Sequence, residues 1–381
     1  MMRIAQVAPL YERVPPELYG GTERVVSFLT EELVRLGHDV TLFASGDSLT
    51  RARLVAPCAR SLRLDPHCHD PLAAHVRMLG WVYQRAREFD IIHCHTDYLG
   101  LPLSRSTDTP TVITLHGRLD LPDIHPLYQE YGDVPLVSIS DAQRLSMPGA
   151  NWAATVHHGL PLDLYSFHPR PGSYLLFLGR ISPEKRPDCA IRVAKRAGVP
   201  LRIAAKVDAV DRTYFESVIR PMLEDPLIKF IGEVGEAEKA PLLANAMALV
   251  FPVDWPEPFG LVMIEALACG TPVIARGRGS VSEVVRSGYT GFVCESDEEM
   301  VDAVRQVAQL DRRLCRQDFD ERFAASVMAR KYVDVYRHIC RARRQRRLHS
   351  GAFAHAAGRV RATLTVHPTP RPALAKRGSS V

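Results

Sequence analysis

No apolar run in this chain approaches the roughly 20 residues that a helix needs to span a bilayer. The eight cysteines never fall into C-x-x-C spacing, which argues against a zinc ribbon, a paired redox site or a disulfide framework and leaves reduced, mostly buried thiols as the expectation. G-x-G-x-x-G is absent, so the dinucleotide fingerprint is missing. G-x-S-x-G is absent too, and no Asp-x-Asp pair stands near the strand ends that would form a cleft. Acidic residues stop before Arg337, and from Arg337 onward stand eleven Lys and Arg. Without those eleven, the net charge of +5 becomes −6, so the basic balance belongs to the tail and implies no nucleic-acid groove in the folded part. The opening MMRIAQVAP carries one charge and reads as a strand rather than as a signal peptide, which sets a cytoplasmic location as the expectation.

Against these absences, short β-branched runs alternate with helical patterns along most of the length. RIAQVAP, DVTLFASG, DIIHCH, TVITLHG and LVSIS are apolar on both faces and end in polar or glycine corners, as strands of a helix-covered parallel sheet do. TERVVSFLTEELVRLG places Val25, Val26, Leu29, Leu33 and Leu36 on one helical face, with Gly37 as the stop. A proline-rich stretch after Gly159 reads as a linker, and the alternation then restarts with YLLFLGRI, LRIAAKV, LIKFIGEV, ALVFP and PVIA. The pattern predicts an α/β protein of two Rossmann-like, doubly wound domains facing a cleft: 1–165 with a crossover helix near 328–345, and 172–327. Residues 349–381, rich in Ala, Pro and Arg, read as a disordered basic tail. Just before it, the run RARRQRR at 341–347 also admits a weak peripheral contact with an anionic membrane.

Several motifs fall at strand ends. YGGTERVV sets Gly20 and Gly21 directly before a helix, where backbone can approach a ligand and free N–H groups can meet an anion. FLGRISPEKRP carries Arg180 and Lys185 after a strand, two cations suited to a diphosphate, although a solvated basic turn is the commoner fate of such residues. TLHG, Thr114 to Gly117, puts His116 at a strand end, where a structural histidine capping a loop is the bland reading. His93 and His95 share one strand face and, with His67, Cys68 and His69, invite a zinc reading, but their spacing fits no compact four-ligand set. In EPFGLVMIEALACGTPVIA, Glu257 precedes a helix and Glu265 lies inside it, among apolar residues where an unpaired carboxylate is costly. Two acids flanking the N–H groups near Phe259, Gly260 and Leu261 suit a ligand with hydroxyls at both ends and phosphates between. That ligand is a nucleotide diphosphate sugar. The bland reading pairs the acids with an arginine such as Arg276.

These motifs, in this order, resemble retaining glycosyltransferases of family 4, the glycosyl transferases group 1, which have the two-domain GT-B fold. The E-x7-E spacing of Glu257 and Glu265 is the most specific, and YGG, TLHG, GRISPEK, GSVSEVV and GYTGFVC accompany it across about residues 1–345. The resemblance implies that Gly20 and Gly21 lie against the donor diphosphate while Arg180 and Lys185 neutralise it. It implies that Glu257 binds donor-sugar hydroxyls beside Phe259, Gly260 and Leu261, that Glu265 accepts from the ribose, and that the Ile231 to Val234 backbone lines the base. His116 would sit near the anomeric carbon and the outer sugar hydroxyl. The implied reaction is front-side displacement with retention, using a nucleotide-sugar co-substrate and no cofactor or metal. UDP-glucose is the first expectation for the donor, and the acceptor is not legible. The alternatives are a GT-B enzyme that epimerises or hydrolyses a UDP-sugar and a non-catalytic sugar-nucleotide-binding protein.

Overall fold

In a computed structural model, the structure describes residues 1–17, 20–63 and 65–361, with side chains through Gln345. Two parallel sheets form its frame. The first holds β1 (Arg3–Val7), β2 (Asp39–Phe43), β3 (Arg53–Val55), β4 (Ile91–Cys94), β5 (Thr111–Thr114), β6 (Leu136–Ser138) and β7 (Trp152–Thr155), in the order β3-β2-β1-β4-β5-β6-β7. The second holds β8 (Leu175–Arg180), β9 (Leu201–Lys206), β10 (Ile228–Gly232), β11 (Ala248–Phe251), β12 (Val273–Arg276) and β13 (Gly291–Cys294), in the order β10-β9-β8-β11-β12-β13. Every residue of β4, β5 and β11 is buried, as expected for strands covered on both faces. Strand order reverses between β1 and β4 and again between β8 and β11, and ligands bind outside the carboxyl ends of strands at such switch points.

The helix Ala325–Arg361 returns to the first domain. Met328, Ala329, Tyr332, Val333, Tyr336 and Ile339 recur at helical spacing and pack against Val25, Leu29 and Leu33 of the helix Gly21–Arg35. Each large side chain buried here contributes roughly 1.5–3 kcal/mol. The helix continues over 349–361, which corrects the expected start of an unstructured tail at 349. Ala and Arg are strong helix formers, and no proline interrupts them before Pro368. The rest of the tail, 362–381, and the side chains of Arg346 and Arg347 lie outside what is described. No helix among the described residues is long and apolar enough to cross a membrane.

The chain crosses between domains twice, and the two crossings touch. Leu160 donates from its backbone N–H to Phe323 O at 2.9 Å and accepts from Ala325 N–H at 2.8 Å. Away from this seam, His157 Nε2 meets Glu283 Oε2 at 3.0 Å, and Glu283 also accepts from the backbone N–H of Asp141 and Ala142 at 2.8 Å each.

Candidate active site

Two helix N-termini meet across the cleft. Gly20 is the N-cap of the helix Gly21–Arg35, and Gly260 caps the helix Leu261–Ala268 with a left-handed φ of 76°. A side chain on Gly21 would stand 3.5 Å from Leu261 Cδ1, so the two helix starts face each other at contact range. The first-turn N–H groups of both are left over by intrahelical bonding, and both dipoles add positive potential at one place.

Glu257 stands beside this point at the end of the loop after β11 and is 8% exposed. Its Oε2 accepts from Lys185 Nζ and, at 2.8 Å, from Trp255 Nε1. The Lys185 ammonium lies 5.2 Å from the Trp255 ring centre. The loop is held from behind: Glu257 O accepts from Ser280 N–H at 3.0 Å, and Gly279, at φ 56°, lies so close that a Cβ would fall 2.3 Å from Glu257 O. Arg180, from the end of β8, pairs with Asp208 at 3.4 Å, and Lys206 holds the same carboxylate at 3.0 Å.

Glu265 is 3% exposed. Its Oε1 accepts from Lys239 Nζ at 2.7 Å, whereas Oε2 is buried without a hydrogen-bond partner among the described residues. Lys239 also lies 3.1 Å from Glu236 Oε2. Glu236 in turn takes bonds from Arg24, in the first turn of the N-terminal helix, and from the Tyr165 hydroxyl. Burial alone would push Glu236 up, but Lys239 and Arg24 and the Tyr165 bond together hold it below the ordinary carboxylate range. The bland pairing with Arg276 is not found: that guanidinium bonds Asp297 and lies 3.5 Å from Asp254.

His116 follows β5 and touches two other histidines, 2.9 Å from His95 Nδ1 through its own Nε2 and stacked on His158 with ring centres 5.3 Å apart. His158 meets the Phe259 ring edge-on at 4.8 Å, which links the first domain's histidines to the loop before the glutamate helix. The next cation along, Arg118, reaches Glu184 at 3.8 Å and the Trp255 ring at 5.8 Å. Burial pushes His116 down to about 3 and drives His93, His95 and His158 well below the usual imidazole range, so all four are neutral at pH 7.

Thus the structure gathers Gly20, Gly21, Lys185, Glu257, Phe259, Gly260 and Leu261 around one point, with Arg180, His116 and Glu265 at its margins. Ile231 and Val234 are brought there less directly. Their side chains line an open groove of about 820 Å³ with Tyr174, Arg202 and Leu242, made entirely by the second domain. The zinc reading finds no set of ligands: among the described residues no group of three or more His, Cys, Asp or Glu is placed to hold a metal ion. His67 and His69 are exposed, whereas His93 and His95 are buried and hydrogen-bonded. Lys239, Glu236, Arg24 and Trp255 went unread in the sequence. A lone lysine on EAEKAPLLA was the available signal, but only the folded packing, through the Lys239–Glu265 bond, shows that its helix lies beside the glutamate helix.

The profile described as glycosyltransferase family 4 matches residues 19–181, and the adjoining profile for glycosyl transferases group 1 matches 166–322. The chain belongs to glycosyltransferase family 4. It is a glycosyltransferase, and its fold is GT-B. A glycogen synthase of Mycobacterium tuberculosis is 28% identical, with 88% of this chain and 95% of the relative covered. A phosphatidyl-myo-inositol mannosyltransferase of Mycolicibacterium smegmatis is 26% identical, with 88% and 90% covered. Among solved structures, HepE of Anabaena in complex with UDP-glucose superposes with a TM-score of 0.66 at 17% identity, over 88% of this chain and 99% of that one, a likeness of fold.

Proposed function

We propose that this glycosyltransferase moves a hexosyl group, glucose foremost, from a UDP-sugar to an acceptor hydroxyl with retention and without a metal ion. The observation that carries the reading is the meeting of the Gly20 and Gly260 helix starts between two cation–carboxylate pairs, Lys185–Glu257 and Lys239–Glu265. Helix N–H groups and dipoles suit a diphosphate at the centre. Glu257 would take the sugar hydroxyls, and the unpartnered Oε2 of Glu265 would accept from the ribose. The solved relative that holds UDP-glucose supports the choice of base and sugar.

In this reading the acceptor oxygen attacks the anomeric carbon on the face that the diphosphate leaves. The C1–O bond to phosphate breaks, and the acceptor proton passes to the departing phosphate oxygen. Lys185, Arg180 and the helix N–H groups stabilise the charge that develops there, the kind of preorganised electrostatics that supplies much of enzymatic rate enhancement. The mannosyltransferase likeness keeps GDP-mannose in the test.

Thermal shift of the full chain with UDP, UDP-glucose, GDP and GDP-mannose should rank the UDP compounds first. Labelled UDP-glucose with glycogen or phosphatidyl-myo-inositol, compounds that the relatives' names carry, should then give product, undiminished in excess EDTA. Absence of any nucleotide shift would remove the donor assignment, and loss of transfer in EDTA restored by magnesium would remove the metal-free one.

A further inference from the structure

A chain of buried polar groups runs from the cleft to the crossover helix. His116 Nε2 lies 2.9 Å from His95 Nδ1, and His95 Nε2 lies 2.9 Å from Gln6 Oε1. The other end of the Gln6 amide, Nε2, donates to the Tyr336 hydroxyl at 3.0 Å. Tyr336 also meets His93 Nδ1 at 2.7 Å, and His93 Nε2 meets Thr114 Oγ1 at 2.7 Å. Thr114 Oγ1 closes the chain on Tyr332 at 3.0 Å. Gln6, His93 and Thr114 are fully buried, and His95 is 1% exposed.

Donor and acceptor roles follow from the amide. A carbonyl oxygen only accepts, so Gln6 Oε1 requires the proton of His95 on Nε2. A neutral imidazole then has a bare lone pair on the other nitrogen, so His95 Nδ1 accepts and His116 Nε2 must donate. His116 is thereby left with an unprotonated Nδ1. That atom is buried and has no hydrogen-bond partner among the described residues.

We propose that Gln6 and His95 are positioning residues that lock His116 in its Nε2–H tautomer, so that His116 meets the donor sugar as a hydrogen-bond acceptor through Nδ1. The sugar contact rests on the nucleotide-sugar reading above, whereas the tautomer lock does not. An acceptor at this point selects a sugar carrying a free hydroxyl there and rejects one in which that oxygen is missing. Reversing the Gln6 amide would reverse every role down the line and present an N–H to the sugar instead.

The test is the nitrogen spectrum of the full ligand-free chain, labelled at its histidines and held at neutral pH, with His116 assigned from the signals lost in His116→Gln. The expected result is a single tautomer with the proton on Nε2. A proton on Nδ1, or a mixture like that of free imidazole, would overturn the proposal without need of any variant. In Gln6→Leu the His116 signals should move to a tautomer mixture. The kcat/KM for UDP-glucose should fall about tenfold, the scale of one hydrogen bond, with the affinity for UDP alone unchanged. A variant that keeps the single tautomer would show that Gln6 does not set it. If wild-type protein binds no UDP, the donor reading fails while the spectrum still decides the tautomer.

Discussion

Glu265 shows how a buried acid can be both tethered and available. One oxygen is committed to Lys239, and the other has no partner among the described residues. Because Lys239 keeps Glu236 at 3.1 Å, Glu265→Ala should leave the fold intact and raise the donor KM by about tenfold or more, with kcat little changed, as expected for a contact equally strong in ground and transition states. Steady-state kinetics separates the two parameters, and an unchanged KM would take Glu265 out of the site. Glu257→Gln should behave differently. It removes the charge that holds Lys185 and that, in the proposed reading, the donor sugar would meet, so kcat should fall about a hundredfold while the melting temperature holds. A near-normal kcat would return Glu257 to a purely structural role. The spacing of the two acids was legible because a carboxylate amid LVMIEALA demands a partner. Their actual partners were not, since Lys185 and Lys239 lie 72 and 26 positions away in the chain.

At the scale of elements, the loop before the glutamate helix depends on a neighbour with no side chain. Gly279, held at φ 56° against the Glu257 backbone, leaves no room for a methyl group. Gly279→Ala should therefore cost about 2 kcal/mol or more in stability, and the activity of the folded fraction should fall as well, because the clash falls on Glu257 itself. Melting curves and kcat measured together check this, and full activity would show that the loop is free to shift. Strand runs apolar on both faces were readable, because a parallel sheet buries them wholly. The short strands β3, β7 and β13 were not, since three or four residues carry too little pattern, and those of β3 and β7 are only partly buried. The His93 and His95 pair was visible on one strand face, but its purpose was not. Tyr336, 243 positions from His93, supplies the partner, and only the return of the last helix brings it there.

For the whole molecule, the neutral histidines tie stability to pH. His93, His95, His116 and His158 have folded pKa values below the unfolded value near 6.5, so their contribution is complete above that pH and is lost as pH falls below it, where the unfolded chain takes protons that the folded one refuses. Glu23 works the other way. Burial lifts it to about 7, so between roughly pH 4.5 and 7 it is protonated only in the folded state and stabilises increasingly as pH falls. His38 and His75 shift the same way as these four, and Asp97, lifted by burial to about 6, and Glu12 act with Glu23. The lowered histidines outnumber the raised acids, so unfolding near pH 5.5 takes up protons on balance, at about 1.4 kcal/mol per pH unit for each. The melting temperature should therefore drop steeply between pH 6.5 and 5, and a flat profile would refute the neutral assignment.

The two touching chain crossings at Leu160 and Ala325 fasten the domains at one seam, and Glu283 fastens them at a second through His157 and the Asp141 and Ala142 N–H groups. At the cleft the halves also meet through Arg24 on Glu236, which is largely buried, and through Arg118 at 3.8 Å from Glu184, a more exposed contact that salt and water can exchange. A protease that cuts once within 161–171 would not divide the molecule, since the second crossing still ties the halves together. The protein could be nicked in this exposed connector and keep its two halves together.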